Sequence, residues 1–313
     1  MTFIQRGRAL KGALAATAIA TAMAATAGTA FAAGNPADAA TKAAERPGTT
    51  SAKGKLAAPR AVSGNGERTA AFPMAAVERD GWLNWYFQDG RGGFEASWPT
   101  AANFSAFKHY LQVDQDKDGV KDGAWSVLKD GTLLYTTAKP NQTASTKTIG
   151  GGWQIYNKVL SPGNLAGARE SDILAVDKAG VMWMYLGYND GRVTARTKVG
   201  GGWGQYTEIA GQGDLNGDGR TDIVARDKAG VLWLYTGNGN RNDPFNNRVK
   251  IGGGWNTYNR LLSIGDLDGD GRSDLIARGN DGTLWRYSGN GNHRDPFDNR
   301  VKIGWGYNSL NLI

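Results

Sequence analysis

The chain of 313 residues has no cysteine. That excludes disulfides, a lipid-anchored cysteine and any thiol nucleophile or thiolate metal site. Histidine is almost as scarce. His109 and His293 are the whole complement, and neither has a repeat equivalent or a partner at metal-ligand spacing. Beyond the first 32 residues no apolar run approaches the roughly 20 residues that span a bilayer. One-signed charge is also missing where it would matter. Of the net +7, residues 1–32 carry +3 and residues 33–71 a further +3, which leaves about +1 for the remainder. A nucleic-acid partner would require a concentrated basic face, and none is present.

What is there begins with a leader. Arg6, Arg8 and Lys11 precede a weakly apolar stretch, and Ala30-Phe31-Ala32 forms an A-x-A site. Residues 1–32 therefore read as a secretory signal peptide cleaved after Ala32, which predicts a secreted, extracellular protein. Residues 33–71 are rich in Ala, Gly, Thr, Pro and Lys with almost no large apolar side chain. Such a segment cannot bury enough surface to offset ordering and is expected to be a disordered linker.

Residues 72–313 are periodic. Tyr86, Tyr135, Tyr185, Tyr235 and Tyr287 each end a short apolar run, and Trp98, Trp153, Trp203, Trp255 and Trp305 follow them in turn. A repeat of about 50 residues means an array or a ring of like units. In the fourth repeat four β-prone runs fall at 222–226, 231–236, 248–251 and 258–264. Lys228-Ala229-Gly230, a Gly/Asn-rich loop and Gly252-Gly253-Gly254 punctuate them. Four strands per unit is one blade of a β-propeller, so the expected fold is all-β, a propeller of five blades. Repeat one starts without the aspartate-rich segment, and the last repeat stops at 310–313, on the strand that elsewhere leads into that segment. The two ends are complementary in phase, so the C-terminal strand is expected to close the ring and remove its free edges. Trp183, Trp233 and Trp285, two residues before the tyrosines, are expected in the inter-blade core. A ring of sugar-stacking platforms is the alternative.

Three repeats carry a D-x-[DN]-x-D-G-x-x-D loop: Asp114, Asp116, Asp118, Asp122; Asp214, Asn216, Asp218, Asp222; and Asp266, Asp268, Asp270, Asp274. These are the first nine positions of an EF-hand loop. Oxygen ligands stand at 1, 3, 5 and 9, the carbonyls of Val120, Arg220 and Arg272 stand at 7, and glycine makes the turn at 6. Position 12 holds Trp125, Ala225 and Ala277 in place of a glutamate. Two unit charges 4 Å apart repel by about 4 kcal/mol at an effective dielectric of 20, so the packed carboxylates call for a cation. An all-oxygen donor set selects Ca²⁺ over softer metals. Three calcium sites are expected, and none in repeat three, where Asn164, Ala166, Ala168 and Asp172 replace the motif.

These residues resemble the FG-GAP/VCBS repeats of secreted bacterial proteins, which are related to the calcium-binding blades of the integrin α-subunit propeller. The resemblance spans about residues 72–313 and implies a calcium-binding propeller. Five repeats in place of seven mean that integrin ligand sites do not carry over, and five blades look closer to small propeller lectins. Such repeats often accompany a wall amidase or protease domain, but the chain carries no nucleophile elbow, and calcium loops claim 11 of its 29 acids. The expectation is a non-catalytic binding module. Its best ligand candidates lie in a loop shared by repeats four and five: Asn240, Arg241, Asp243 and Phe245 near Trp255, and Asn292, Arg294, Asp295 and Phe297 near Trp305. Asn, Asp, Arg and an aromatic suit a glycan or cell-wall polysaccharide, although blade packing or recent duplication explains the shared loop equally well. An extracellular protein partner is the alternative, and neither nucleic acid nor membrane insertion is expected.

Overall fold

The computed structural model describes residues 69–137, 144–167 and 169–313. The expected leader, and the linker up to residue 68, lie outside the described residues. Twenty strands form five four-stranded antiparallel sheets. Blade 1 contains β1 (Met74–Val77), β2 (Trp82–Tyr86) and β3 (Trp98–Asn103). Blade 2 runs β4 (Phe107–Val113), β5 (Gly123–Leu128), β6 (Leu133–Thr137), β7 (Ser145–Gly150). Blade 3 runs β8 (Tyr156–Gly163), β9 (Asp172–Asp177), β10 (Met182–Leu186), β11 (Thr197–Gly200). Blade 4 runs β12 (Tyr206–Ala210), β13 (Asp222–Asp227), β14 (Leu232–Thr236), β15 (Val249–Gly252). Blade 5 runs β16 (Tyr258–Leu262), β17 (Leu275–Gly279), β18 (Leu284–Tyr287), β19 (Val301–Gly304). The strands expected in repeat four fall within about two residues of these bounds.

The last strand, β20 (Asn311–Leu312), is the inner strand of blade 1 and pairs Ala76 with Leu312 and Val77 with Asn311. The ring is therefore closed as the phase of the chain ends required. Leu312 is fully buried against Phe72, Met74, Tyr86, Tyr307 and Leu310. The segment before β1 belongs to the fold earlier than expected. Thr69 donates its hydroxyl to Gly271 O at 2.6 Å, Ala70 O accepts from Asp266 N at 2.9 Å, and Ala71 bridges to Gly265. Residues 69–71, expected at the end of the linker, are therefore bonded to the fold.

Between blades, a short 3₁₀ turn delivers one aromatic inward. The backbone N–H groups of Phe104, Trp153, Trp203, Trp255 and Tyr307 donate to Gly81, Gly131, Gly180, Gly230 and Gly282 O at 2.6–3.1 Å. These five residues are equivalent and all are buried. Two of the five tryptophans aligned from the sequence are therefore displaced: Phe104 holds the place given to Trp98, and Tyr307 that given to Trp305. Trp305 stands two residues early and is 54% exposed. Trp183, Trp233 and Trp285 are half-buried where the sequence placed them in the core. Arg196, Arg248 and Arg300 stack on them at 4.0, 4.0 and 4.2 Å from the ring centroids.

Cations latch blade 2 to blade 3, blade 4 to blade 5 and blade 5 to blade 1. Lys108 donates to Tyr156 O. Arg226 donates to Trp255 O and Tyr258 O, and Arg278 to Tyr307 O and Leu310 O. Each bond joins a cation of one blade to a carbonyl at the 3₁₀ turn that leads into the next, and charge assistance strengthens it.

Candidate functional site

The aspartate loops join the inner strand of a blade to its second strand. All four described loops fold alike because the ninth position folds them. Asp122, Asp172, Asp222 and Asp274 each accept the N–H groups of the loop's second and third residues on Oδ2, at 2.7–3.2 Å. The loop of repeat three keeps this staple without the other acids, so the staple precedes any metal role. The first position turns back in the same way. Asp114, Asp214 and Asp266 accept the N–H of Gly119, Gly219 and Gly271 at 2.8, 2.7 and 2.9 Å. Those glycines have φ of 87°, 82° and 95°, a left-handed turn that side-chain-bearing residues rarely adopt.

In two loops the acids converge. Asp114, Asp116 and Asp122, and likewise Asp266, Asp268 and Asp274, bring carboxylate oxygens within 4.8 Å of one another. The set is all hard oxygen, and its outer members are buried. Burial, reinforced by neighbouring carboxylates, raises Asp114 and Asp274 to about 7 and Asp222 to about 8, and it raises Asp214 and Asp266 as well. Left to themselves Asp114, Asp222 and Asp274 would hold protons near neutral pH. A divalent cation would remove that penalty, so the residues fit a metal ion.

The third expected site differs. Asn216 stands where the other two loops have Asp116 and Asp268, and its side-chain amide donates to Asp218 Oδ2 at 3.3 Å. The fifth-position acids serve the loop: Asp118, Asp218 and Asp270 accept the N–H of Val120, Arg220 and Arg272 at 2.8–2.9 Å. Asp270 is also paired with Arg272 at 3.3 Å, and Asp268 with Arg286 at 3.3 Å. Arg286 reaches across the ring seam to donate to Gly92 O at 2.7 Å, a contact without any local sequence signal.

The shared loops of blades 4 and 5 divide into a polar surface and an inward anchor. Asn240, Asp243, Asn292, Arg294 and Asp295 are exposed. Arg241 is tied to Thr197 Oγ1 at 2.9 Å and to Ala195 O at 3.2 Å. The phenylalanines turn the other way. Gly237 bridges to Phe245 and Gly289 to Phe297. These bridges set Phe245 against Trp203 and Tyr235, at centroid distances of 5.7 and 5.6 Å, and Phe297 against Tyr287 at 6.1 Å. With Trp255 buried as well, only Trp305 among the four aromatic candidates offers a ring face to solvent.

Residues 169–225 and 214–277 match the FG-GAP-like repeat family profile. The chain carries FG-GAP-like repeats. The matched span begins within the acid-poor loop of repeat three and covers the acidic loops of repeats four and five. No curated protein matches in sequence. Among solved structures, the FG-GAP-like propeller is similar to AofleA from Arthrobotrys oligospora (10% identity, 82% of this chain and 74% of that one, TM-score 0.41). It is similar also to the SapL1 lectin in complex with α-methyl fucoside (11% identity, 77% and 80%, TM-score 0.43). A protein of unknown function from Bacteroides caccae has 10% identity over 74% and 73%, with a TM-score of 0.36. At these scores the likenesses carry no functional argument.

Proposed function

We propose that the protein is a secreted, calcium-binding propeller that acts as a non-catalytic binding module at the cell surface or in the medium, with carbohydrate as its ligand. The metal assignment rests on the two convergent aspartate clusters, whose oxygens fit a hard divalent ion and whose burial is costly without one. Export rests on the leader motif at residues 1–32. The ligand class rests on the exposed Asn and Asp side chains that blades 4 and 5 present twice, joined in blade 5 by the exposed Arg294. A protein partner is the second reading, favoured by Val301 and Trp305, which are 48% and 54% exposed at the outer strand of blade 5.

The test joins both halves. Calcium should raise the melting temperature of the mature protein by mass action, and Asp266→Asn with Asp114→Asn should remove most of that rise. Equal melts in calcium and in chelator, after confirmed metal removal, would refute the metal reading. A glycan and cell-wall polysaccharide array should give binding that Asn292→Ala with Arg294→Ala abolishes. A blank array with a protein partner in pull-down would replace carbohydrate by the second reading.

A further inference from the structure

Inner strands β4, β8, β12 and β16, with Ile313 after β20, line a cavity of about 290 Å³ on the axis of the ring, near the lower end of the volumes that hold small ligands. Strand register identifies one equivalent residue from each inner strand near its start. His109 pairs with Val127, Lys158 with Val176, Glu208 with Arg226, Arg260 with Arg278 and Asn311 with Val77. The flanking positions follow the repeat: Tyr156, Tyr206 and Tyr258 precede three of these residues by two. The position itself holds a different residue in each of the five blades.

The residues that differ make a cationic end to the cavity. Lys158 and Arg260 face a single acid, Glu208, which takes Arg260 Nη1 at 3.5 Å and the N–H of Leu261 at 3.2 Å. Lys108, Arg226 and Arg278 stand behind them, committed to backbone carbonyls, and add positive field. His109 shows the result: burial, followed by Lys108, Arg260 and Lys158, lowers it to about 4, so the imidazole is neutral at physiological pH.

Residues that line the cavity also hold buried polar atoms without a partner. Among the described residues, His109 Nε2, Arg260 Nε and Gln112 Oε1 are buried without a hydrogen bond, an arrangement that native structures rarely leave unmet. Gln112 is only 8% exposed, and its amide nitrogen is already fixed on Pro73 O at 2.7 Å. Between the cationic end and Gln112 the wall is aliphatic, with Leu160, Ile209 and Ile313 half-buried along it.

We infer that the axial cavity binds a small organic carboxylate, its anionic head between Lys158, Arg260 and His109 and its uncharged body along Leu160, Ile209 and Ile313. The head would gain charge-assisted hydrogen bonds in a site that already excludes much water. An aliphatic acid and a sugar acid share this chemistry and differ in the body. This site is separate from the outer loops and from the aspartate clusters, so it stands or falls independently of the carbohydrate reading.

The experiment uses calorimetry and amide chemical-shift mapping on the mature protein with two probe pairs: hexanoate against hexanamide, and D-glucuronate against methyl glucoside. At least one acid should bind while its neutral partner does not, with shifts centred on residues 109, 158, 209, 260 and 313. Which acid binds identifies the body. Arg260→Gln should weaken binding about tenfold, as loss of one charge-assisted partner does. Lys158→Gln, at a half-exposed position, should weaken it in the same direction, with the unliganded melting temperature unchanged. Absence of binding by both acids, equal binding of a neutral partner, or shifts confined to the outer loops would overturn the assignment.

Discussion

Removing residues 311–313 tests how the ring is held. The truncation deletes β20, its pairing with Ala76 and Val77, and the bond from Ile313 N–H to Ala75 O at 3.0 Å. It also withdraws the Leu312 side chain from a fully buried position. Burying a leucine is worth about 1.5–3 kcal/mol, and each backbone hydrogen bond about 1 kcal/mol. The loss is therefore about 5 kcal/mol, which for a domain of this size lowers the melting temperature by about 10–20 °C. Truncation should also bare the inner edge of β1, an unpaired strand that invites association. Calorimetry and size-exclusion chromatography on full-length and truncated protein give both readouts, and Leu312→Ala separates side chain from backbone at a cost of about 3 kcal/mol. A truncated protein that melts within about 3 °C of the full chain, the effect of one kcal/mol, and elutes unchanged would refute closure by this strand.

Asp172 provides a pH test in the loop that keeps the staple without the acidic set. Burial raises its carboxyl from 3.8 to about 6, so the folded protein holds the proton more tightly than the unfolded chain. Its contribution is therefore largest below about pH 4 and is lost as pH rises through 6, by up to about 3 kcal/mol. Urea titrations at several pH values should show this slope in the wild type and its loss in Asp172→Asn; equal slopes would remove Asp172 as the cause. Arg226→Met keeps the aliphatic stem but breaks the latch to Trp255 and Tyr258. It should cost about 2 kcal/mol by removing two charge-assisted hydrogen bonds, measured by thermal unfolding, and an unchanged melt would show that the latch carries no energy.

Blade number, strand positions, closure and the aspartate loops were legible in the sequence because each is local or periodic. A D-x-D-x-D-G loop reports its own turn, and a period of about 50 residues reports the ring. What escaped was long-range or broke the period. Tyr307 could not be told from Trp305 as the inward aromatic, since Gly304-Trp305-Gly306 mimics the Gly-Gly-Trp of other repeats, and only the bond to Gly282 decides between them. Phe245 and Phe297 looked like contact residues because exposure is invisible in a loop sequence; the bridges to Gly237 and Gly289 turn both rings inward. The cations on the axis escaped for the opposite reason. His109, Lys158, Glu208 and Arg260 share no residue type, so alignment by similarity hides that they share a place.

Each inner strand after the first blade's is encoded at the end of the preceding repeat, so a sequence repeat and a structural blade are offset by one strand. Duplicating or deleting one whole repeat therefore leaves both chain ends in the same phase, with an open blade waiting at the start and a spare strand arriving at the finish. Blade number in such a gene can change by recombination in a single event, and any new ring that can bend to its new circumference inherits its closure ready-made.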